Sequence, residues 1–298
     1  VIPRGSGSGM TGGSLAVNGG VIIVMTRFNR ILKIDKENLI AHVEPGVVTG
    51  HLQKAVEKES LFYPPDPSSS EFSTMGGNIA ECAGGPSAVK YGVTRDYVLG
   101  LEVVLPSGEI INTGVQTAKG VVGYDLTRLI TGSEGTLGII TRIIVRLLPL
   151  PEATKTITAV FDKIETAAET VSEIIRNRII PRTMEYMDNA SIRCVENYLK
   201  IGLPVKAEAL LLIEVDGNED ETNRAADELK TLCINRGATS VEKARTKEEV
   251  ANLWKARKAI SPALFSYGQD KINEDIVVPR SRIPDMVKKI NMLRDETG

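Results

Sequence analysis

Hydrophobic and polar positions follow two spacings along this chain, and the change between them divides it. As far as Pro149, apolar residues come in short runs at strand spacing, broken repeatedly by glycine. Residues 31–34 and 39–43 alternate like the arms of a hairpin around an Asp35-Lys36-Glu37-Asn38 turn. Residues 21–25, 99–105, 109–113 and 137–148 read as further strands. The last is strongly β-branched through Ile139-Ile140-Thr141-Arg142-Ile143-Ile144-Val145. Leu147-Leu148-Pro149-Leu150-Pro151 then punctuates the chain. Beyond it, strands at 156–161, 183–187, 209–215 and 240–244 alternate with helices over 163–178, 190–199, 220–236 and from about 246 onward. In the first of these helices Ile164, Ala168, Val171 and Ile175 recur on one face, and Asp162 with Glu165 spells an Asp-x-x-Glu capping box. The pattern predicts an α+β protein of two domains, 1–149 and 150–298, the second a sheet covered by helices on one side.

Composition narrows the classes. The 298 residues are 42% hydrophobic and 25% charged with a net charge of −2, ordinary for a globular chain with room for two cores. Aromatics are only 4%, and Lys and Arg are scattered among acids, which argues against a nucleic-acid surface. No apolar run approaches the ~20 residues that span a bilayer, and no signal peptide is visible. Cys82, Cys194 and Cys233 are odd in number and lack C-x-x-C spacing, so they suggest neither a disulfide framework nor a zinc site. A reducing cytoplasmic setting is expected. His42 and His51, the only histidines, make no metal motif and read as surface or packing residues.

The opening VIPRGSGSGMTGG concentrates glycine at positions 5, 7, 9, 12 and 13. Such bare backbone lets N–H groups close around an anion. A P-loop is excluded, because no Gly-Lys-Ser/Thr follows. Gly7 to Gly12 fits G-x-G-x-x-G, with Asp35 at a plausible distance. However, Gly13, Asn18, Gly19 and Gly20 break the helix that a dinucleotide fingerprint needs. A flexible linker is the bland alternative. Further clusters at Pro64-Pro65-Asp66-Pro67-Ser68-Ser69, Met75-Gly76-Gly77-Asn78, Ala83-Gly84-Gly85-Pro86 and Gly132-Ser133-Glu134-Gly135-Thr136-Leu137-Gly138 suit either turns or a long cofactor held mainly by backbone groups.

Taken in this order with Pro3-Arg4-Gly5-Ser6-Gly7-Ser8-Gly9, these segments resemble the FAD-linked oxidase family of the p-cresol methylhydroxylase and vanillyl-alcohol oxidase type. The branch resembled is that of the flavin-bearing chain of glycolate oxidase, FAD-linked D-lactate dehydrogenase and D-2-hydroxyglutarate dehydrogenase. The resemblance implies an FAD-binding domain followed by a substrate cap domain with antiparallel sheet and helices. It further implies that the first loop cradles the FAD pyrophosphate and the later segments line the rest of the cofactor. The residues implied are Arg4, Gly5, Ser6, Gly7, Ser8, Gly9, Pro65, Asp66, Thr74, Gly76, Gly77, Asn78, Gly84, Tyr91, Gly92, Glu134, Gly138, Ile139 and Ile140. Some relatives attach flavin through a histidine near the first loop. Serines stand here and Cys82 is a weak candidate, so non-covalent FAD is expected.

In the second half, Trp254-Lys255-Ala256-Arg257-Lys258-Ala259-Ile260-Ser261 precedes Lys271. Arg257 and Ser261 stand one helical turn apart. Spacing alone reads them as a solvated basic face. The resemblance instead makes Arg257, Ser261 and Lys271 substrate-binding, with Arg257 forking a carboxylate. It implies oxidation of a D-2-hydroxy acid of the D-lactate or glycolate type to the 2-oxo acid by hydride transfer to flavin N5. Electrons would pass to a quinone, an electron-transferring flavoprotein or an iron–sulfur subunit, in a homo- or hetero-oligomer, cytoplasmic or peripheral at the inner face of a membrane. Alternatives are a non-catalytic FAD-binding subunit and another FAD enzyme on this scaffold, such as a cell-wall precursor reductase. The resemblance also implies an α/β segment before Val1 and, after Gly298, a histidine-containing segment carrying the base and any divalent-metal ligands. No catalytic base and no metal ligand is assigned in this chain.

Overall fold

The computed structural model describes residues 1–268, 270, 272 and 275–297, with the side chains of 295 and 297 left aside. The chain forms two compact units, Val1–Leu150 and Pro151–Gly298.

In the first unit the strands β1 (Ile2–Arg4) and β2 (Ile22–Val24) pair in parallel. Their crossover carries no helix, which disposes of the dinucleotide fingerprint on structural grounds. Next come β3 (Ile31–Asp35), β4 (Ile40–Val43), α1 (Thr49–Glu57), β5 (Leu61–Phe62), α2 (Met75–Glu81) and α3 (Ala88–Tyr91). They are followed by β6 (Val98–Val104), β7 (Ile110–Gly114), α4 (Leu126–Ile130), β8 (Ile139–Arg146) and β9 (Leu148–Pro149). Five of these strands build an antiparallel sheet in the order β3-β4-β8-β6-β7. The β-branched run at 139–145 forms its centre, and alternate residues Ile143 and Val145 enter a core shared with Val43, Leu101, Val103 and the α1 and α2 residues Leu52, Val56, Met75 and Ile79. The β3–β4 turn is closed by Asn38 N–H donating to Asp35 Oδ1 at 3.0 Å.

The Met75-Gly76-Gly77-Asn78 cluster is helical, forming the first turn of α2. Its glycine is demanded by packing. Gly76 N–H donates to the Pro45 carbonyl at 2.7 Å, and a Cβ there would lie 2.6 Å from Pro45 Cβ.

The second unit runs β10 (Ala153–Phe161), α5 (Ile164–Arg176), β11 (Thr183–Asp188), α6 (Asn189–Leu199), β12 (Ala209–Gly217), α7 (Glu219–Asn235), β13 (Ser240–Lys243), α8 (Lys247–Leu264) and α9 (Ile283–Thr297). The strands form one antiparallel sheet in the order β11-β12-β10-β13. One face, carrying Ile157, Ala159, Phe161, Ala209, Leu211 and Ile213, packs on α5 and α7. The other face, through Val160, Met187 and Leu210, packs on α6 and α8. The expectation of one-sided cover is therefore wrong. β12 opens with an apolar run, Ala209 to Ile213, and is buried at every position except its last, as a strand covered on both faces must be.

Two details of α5 also differ from expectation. Its N-cap is Lys163, with no side-chain cap bond, so Asp162 and Glu165 do not form a capping box. Its fully buried residues are Ala167, Ala168, Thr170 and Ile174, a stripe turned by about one position, because α5 packs against α9 as well as the sheet. Conventional caps start the later helices: Asp188, Asn218 and Thr246 accept from the N–H groups of Ser191, Glu221 and Glu249.

Candidate functional site

Glycines at the start of the chain hold a loop open while other segments press on it. Gly7 has φ +71°, and the Arg4 guanidinium lies against it, 2.7 Å from where a Cβ would stand. A Cβ on Gly5 would run into the Thr74 hydroxyl at the start of α2. A Cβ on Gly135 would approach Pro3 to 3.0 Å, so the 132–138 loop presses on β1 from another side. That loop is fixed to α2 by Gly132 and Glu134 N–H groups donating to the Ile79 and Ala80 carbonyls, each at 2.9 Å. The first loop, the Thr74-Met75-Gly76-Gly77 turn and the Glu134 loop thus converge in one place.

The convergence leaves donors unspent. None of the backbone N–H groups from Gly5 to Gly9 donates to a protein acceptor among the described residues, and Arg4 makes no ion pair there. Ser6 and Ser8 hydroxyls meet each other at 3.3 Å. A run of free N–H groups around a positive-φ glycine, beside a cation, is a cradle for an anion. Its far rim is acidic: Glu81 stands beside Gly9, and burial together with the Glu134 charge raises the Glu81 pKa.

The remaining residues implied by resemblance fall nearby or within the packing. Asp66 accepts from the Ser87 N–H at 3.0 Å and hydroxyl at 2.7 Å, closing the 84–87 loop, and Gln53 donates to the Pro65 carbonyl at 3.0 Å. Gly84 lies near Val93. Tyr91 meets Phe62 edge-on with ring centroids 5.5 Å apart. Gly92, at φ +79°, leaves space for Asp96, whose carboxylate accepts from Val93 N–H. Asn78 is buried and donates to the Thr49 hydroxyl. Gly138 lets β8 approach β6, where a Cβ would lie 2.6 Å from Val103, and Ile139 and Ile140 pair with Val104 and Val103. Cys82 is a free thiol with a left-handed backbone at the end of α2.

In the second unit, α8 runs through Pro262 to Leu264, so Arg257 and Ser261 do share a helix. Arg257 is half-buried and its Nε donates to Glu185 on β11, while Ser261 is exposed. Lys271 lies outside the described residues. Glu185 was not singled out in the sequence. It reads there as one acid in a short strand, and only the sheet register brings it to α8. Among the described residues no cluster of His, Cys, Asp and Glu is arranged to hold a metal, and no helix is long and apolar enough to cross a membrane.

Residues 1–114 match the FAD binding domain family, and residues 150–298 match the family of FAD linked oxidases, C-terminal domain. The chain belongs to the FAD-linked oxidases. It is 51% identical over 98% of its length to glycolate oxidase subunit GlcD of Bacillus subtilis, and 35% identical over 99% to a D-lactate dehydrogenase of Anaerostipes hadrus. The chain spans 62% and 64% of the length of these two relatives. Its fold matches p-cresol methylhydroxylase with substrate bound at a TM-score of 0.67, over 83% of this chain and 55% of that one, at 19% identity.

Proposed function

We propose that this FAD-linked oxidase chain provides the FAD cradle and substrate clamp of an enzyme that oxidises a D-2-hydroxy acid, of the D-lactate or glycolate type, to the 2-oxo acid. The observation that carries the substrate reading is Arg257. Its Nε is engaged by Glu185, yet its Nη1 and Nη2 groups have no acceptor among the described residues, leaving one planar edge open to a carboxylate. The names of the relatives, glycolate oxidase subunit and D-lactate dehydrogenase, support the same class. The N–H groups of Gly5 to Gly9 and Arg4 would hold the FAD diphosphate, without covalent attachment. FAD, when bound, supplies the acceptor for the two electrons of the oxidation. Arg257 fixes the acid group, and with it the direction in which the C2 hydrogen points. Ser261, one turn on and exposed on the same helix, would assist. Electrons leave for a separate acceptor of the quinone, flavoprotein or iron–sulfur kind, and the word subunit in the relative's name supports a multi-subunit assembly.

The test is anaerobic titration of the full-length protein. D-lactate or glycolate should bleach its flavin absorption, and NADH or NADPH should not. Bleaching by a nicotinamide alone would move the protein to another FAD chemistry, and flavin that remains oxidised with every 2-hydroxy acid would make it a non-catalytic carrier. In the same protein Gly7→Ala should weaken FAD retention about tenfold, since a left-handed backbone costs a non-glycine residue about 1–2 kcal/mol. Acid precipitation should release the flavin from the wild type.

A further inference from the structure

The face of the second sheet that carries α8 is apolar at one end and polar at the other. Thr156 of β10, Glu214 and Asp216 of β12, and Thr183 and Glu185 of β11 occupy the polar end. The register sets Thr183 opposite Glu214 and Glu185 opposite Leu212, so the two glutamates are diagonal neighbours on adjacent strands. Glu214 is well provided for. It accepts from Thr156 Oγ1 at 3.0 Å and Trp254 Nε1 at 3.1 Å, and Arg182 lies 3.5 Å from it and 3.7 Å from Asp216.

Trp254 and Arg257 are three residues apart on α8, hence on one side of the helix. Trp254 engages β12 and Arg257 engages β11, so two polar contacts on neighbouring strands fix both the rotation of α8 and the reach of its arginine. Glu185 is 15% exposed and Arg257 32% exposed, an ion pair at the edge of the packed layer. It holds the guanidinium by Nε and leaves the Nη1/Nη2 edge without an acceptor among the described residues.

We propose that Glu185 is a positioning residue for substrate binding: it pre-orders Arg257 so that the open edge of the guanidinium meets the acid group. A free arginine must surrender rotamer entropy to grip a ligand, and one already held at Nε surrenders less. A carboxylate beside the clamp reduces its net positive charge, so Glu185 contributes orientation and not attraction. This inference rests on the reading of Arg257 as the carboxylate clamp.

The experiment uses the full-length, FAD-loaded protein. Pyruvate, the 2-oxo product of D-lactate, serves as a non-reacting probe followed by perturbation of the flavin spectrum, alongside steady-state kinetics with D-lactate. Glu185→Ala should weaken pyruvate binding and raise KM about five- to tenfold with kcat within about threefold of wild type. Glu185→Gln should restore most of the loss, because its amide oxygen still accepts from Nε. The double variant Glu185→Ala/Arg257→Ala should be no worse than Arg257→Ala, as for residues acting through one another. Tighter pyruvate binding in Glu185→Ala would mean that the glutamate competes with substrate, and overturns the proposal. So does unchanged binding in Glu185→Ala where Arg257→Ala weakens it, even with a lowered melting temperature. If Arg257→Ala itself leaves pyruvate affinity and KM untouched, the clamp reading fails and Glu185 falls with it. Should Glu185→Ala not fold, Glu185→Asp keeps the charge but shortens the reach, and wild-type affinity there overturns the proposal equally.

Discussion

Asn78 is enclosed where α1 meets α2, its carboxamide donating to the Thr49 hydroxyl at 2.5 Å while that hydroxyl donates to the Ser73 carbonyl at 3.2 Å. Resemblance places Asn78 at the cofactor, and the structure gives it a packing task as well. The two roles separate by measurement. Asn78→Ala should lower unfolding stability in denaturant by about 1–3 kcal/mol in protein stripped of FAD, the cost of disrupting a buried hydrogen bond. Stability unchanged without FAD, together with weakened FAD binding, would return the residue to the cofactor alone. Several other residues named from motifs carry internal contacts too, notably Asp66 on Ser87 and Gly92 beside Asp96. A motif records that a residue is constrained; it does not record by what. Arg4 and the Gly5 to Gly9 backbone are motif residues whose donors find no acceptor among the described residues.

At the level of elements, the turn after α6 depends on one carboxylate. Glu196 accepts N–H bonds from Leu203 at 2.8 Å, Gly202 at 3.0 Å and Ile201 at 3.2 Å. These bonds, the Leu203 one foremost, hold the Glu196 pKa below its ordinary value of 4.5. A depressed folded-state pKa gives stability that is fully present above the unfolded value and lost as pH falls through the folded one. Glu196→Gln should therefore destabilise the protein by about 1 kcal/mol at pH 7. The difference from wild type should shrink as pH drops below about 4.5. A gap that persists unchanged at pH 3 would show that the charge is irrelevant. Elements were legible where one signal dominated. The β-branched stretch ending at Val145 became β8, the three- and four-residue steps found α5, and the alternation of strand and helix segments found α6 and α7. They were illegible where signals competed: Gly76 and Gly77 read as either turn or cofactor-loop residues, although close approach to Pro45 is what excludes a side chain at Gly76. The face of α5 was turned by one position because a sequence stripe cannot say that α9 covers part of it.

Across the whole molecule, the partition was written in the proline-punctuated stretch around Pro149, which ends the glycine-rich strands and opens the regular alternation. The first loop, α2 and the 132–138 loop share a single site only because the first unit's chain returns to them, and the motifs could signal that meeting solely through resemblance. The meeting of Glu185 with Arg257 had no local signal at all, since 72 residues separate them and strand register alone sets the contact. The second sheet also sets a timescale. β12 has hydrogen-bonded neighbours on both edges, β10 and β11, and helices over both faces. No local fraying frees its amides, so their exchange with deuterium must await the opening of the second unit as a whole. In native-state exchange, the amides of residues 210–215 should be the slowest of that unit and share one opening free energy, while those of the glycine loop at 5–9 exchange within the first time points. Faster exchange in β12 than in β13, which lies at the sheet edge, would show that the strand breathes on its own.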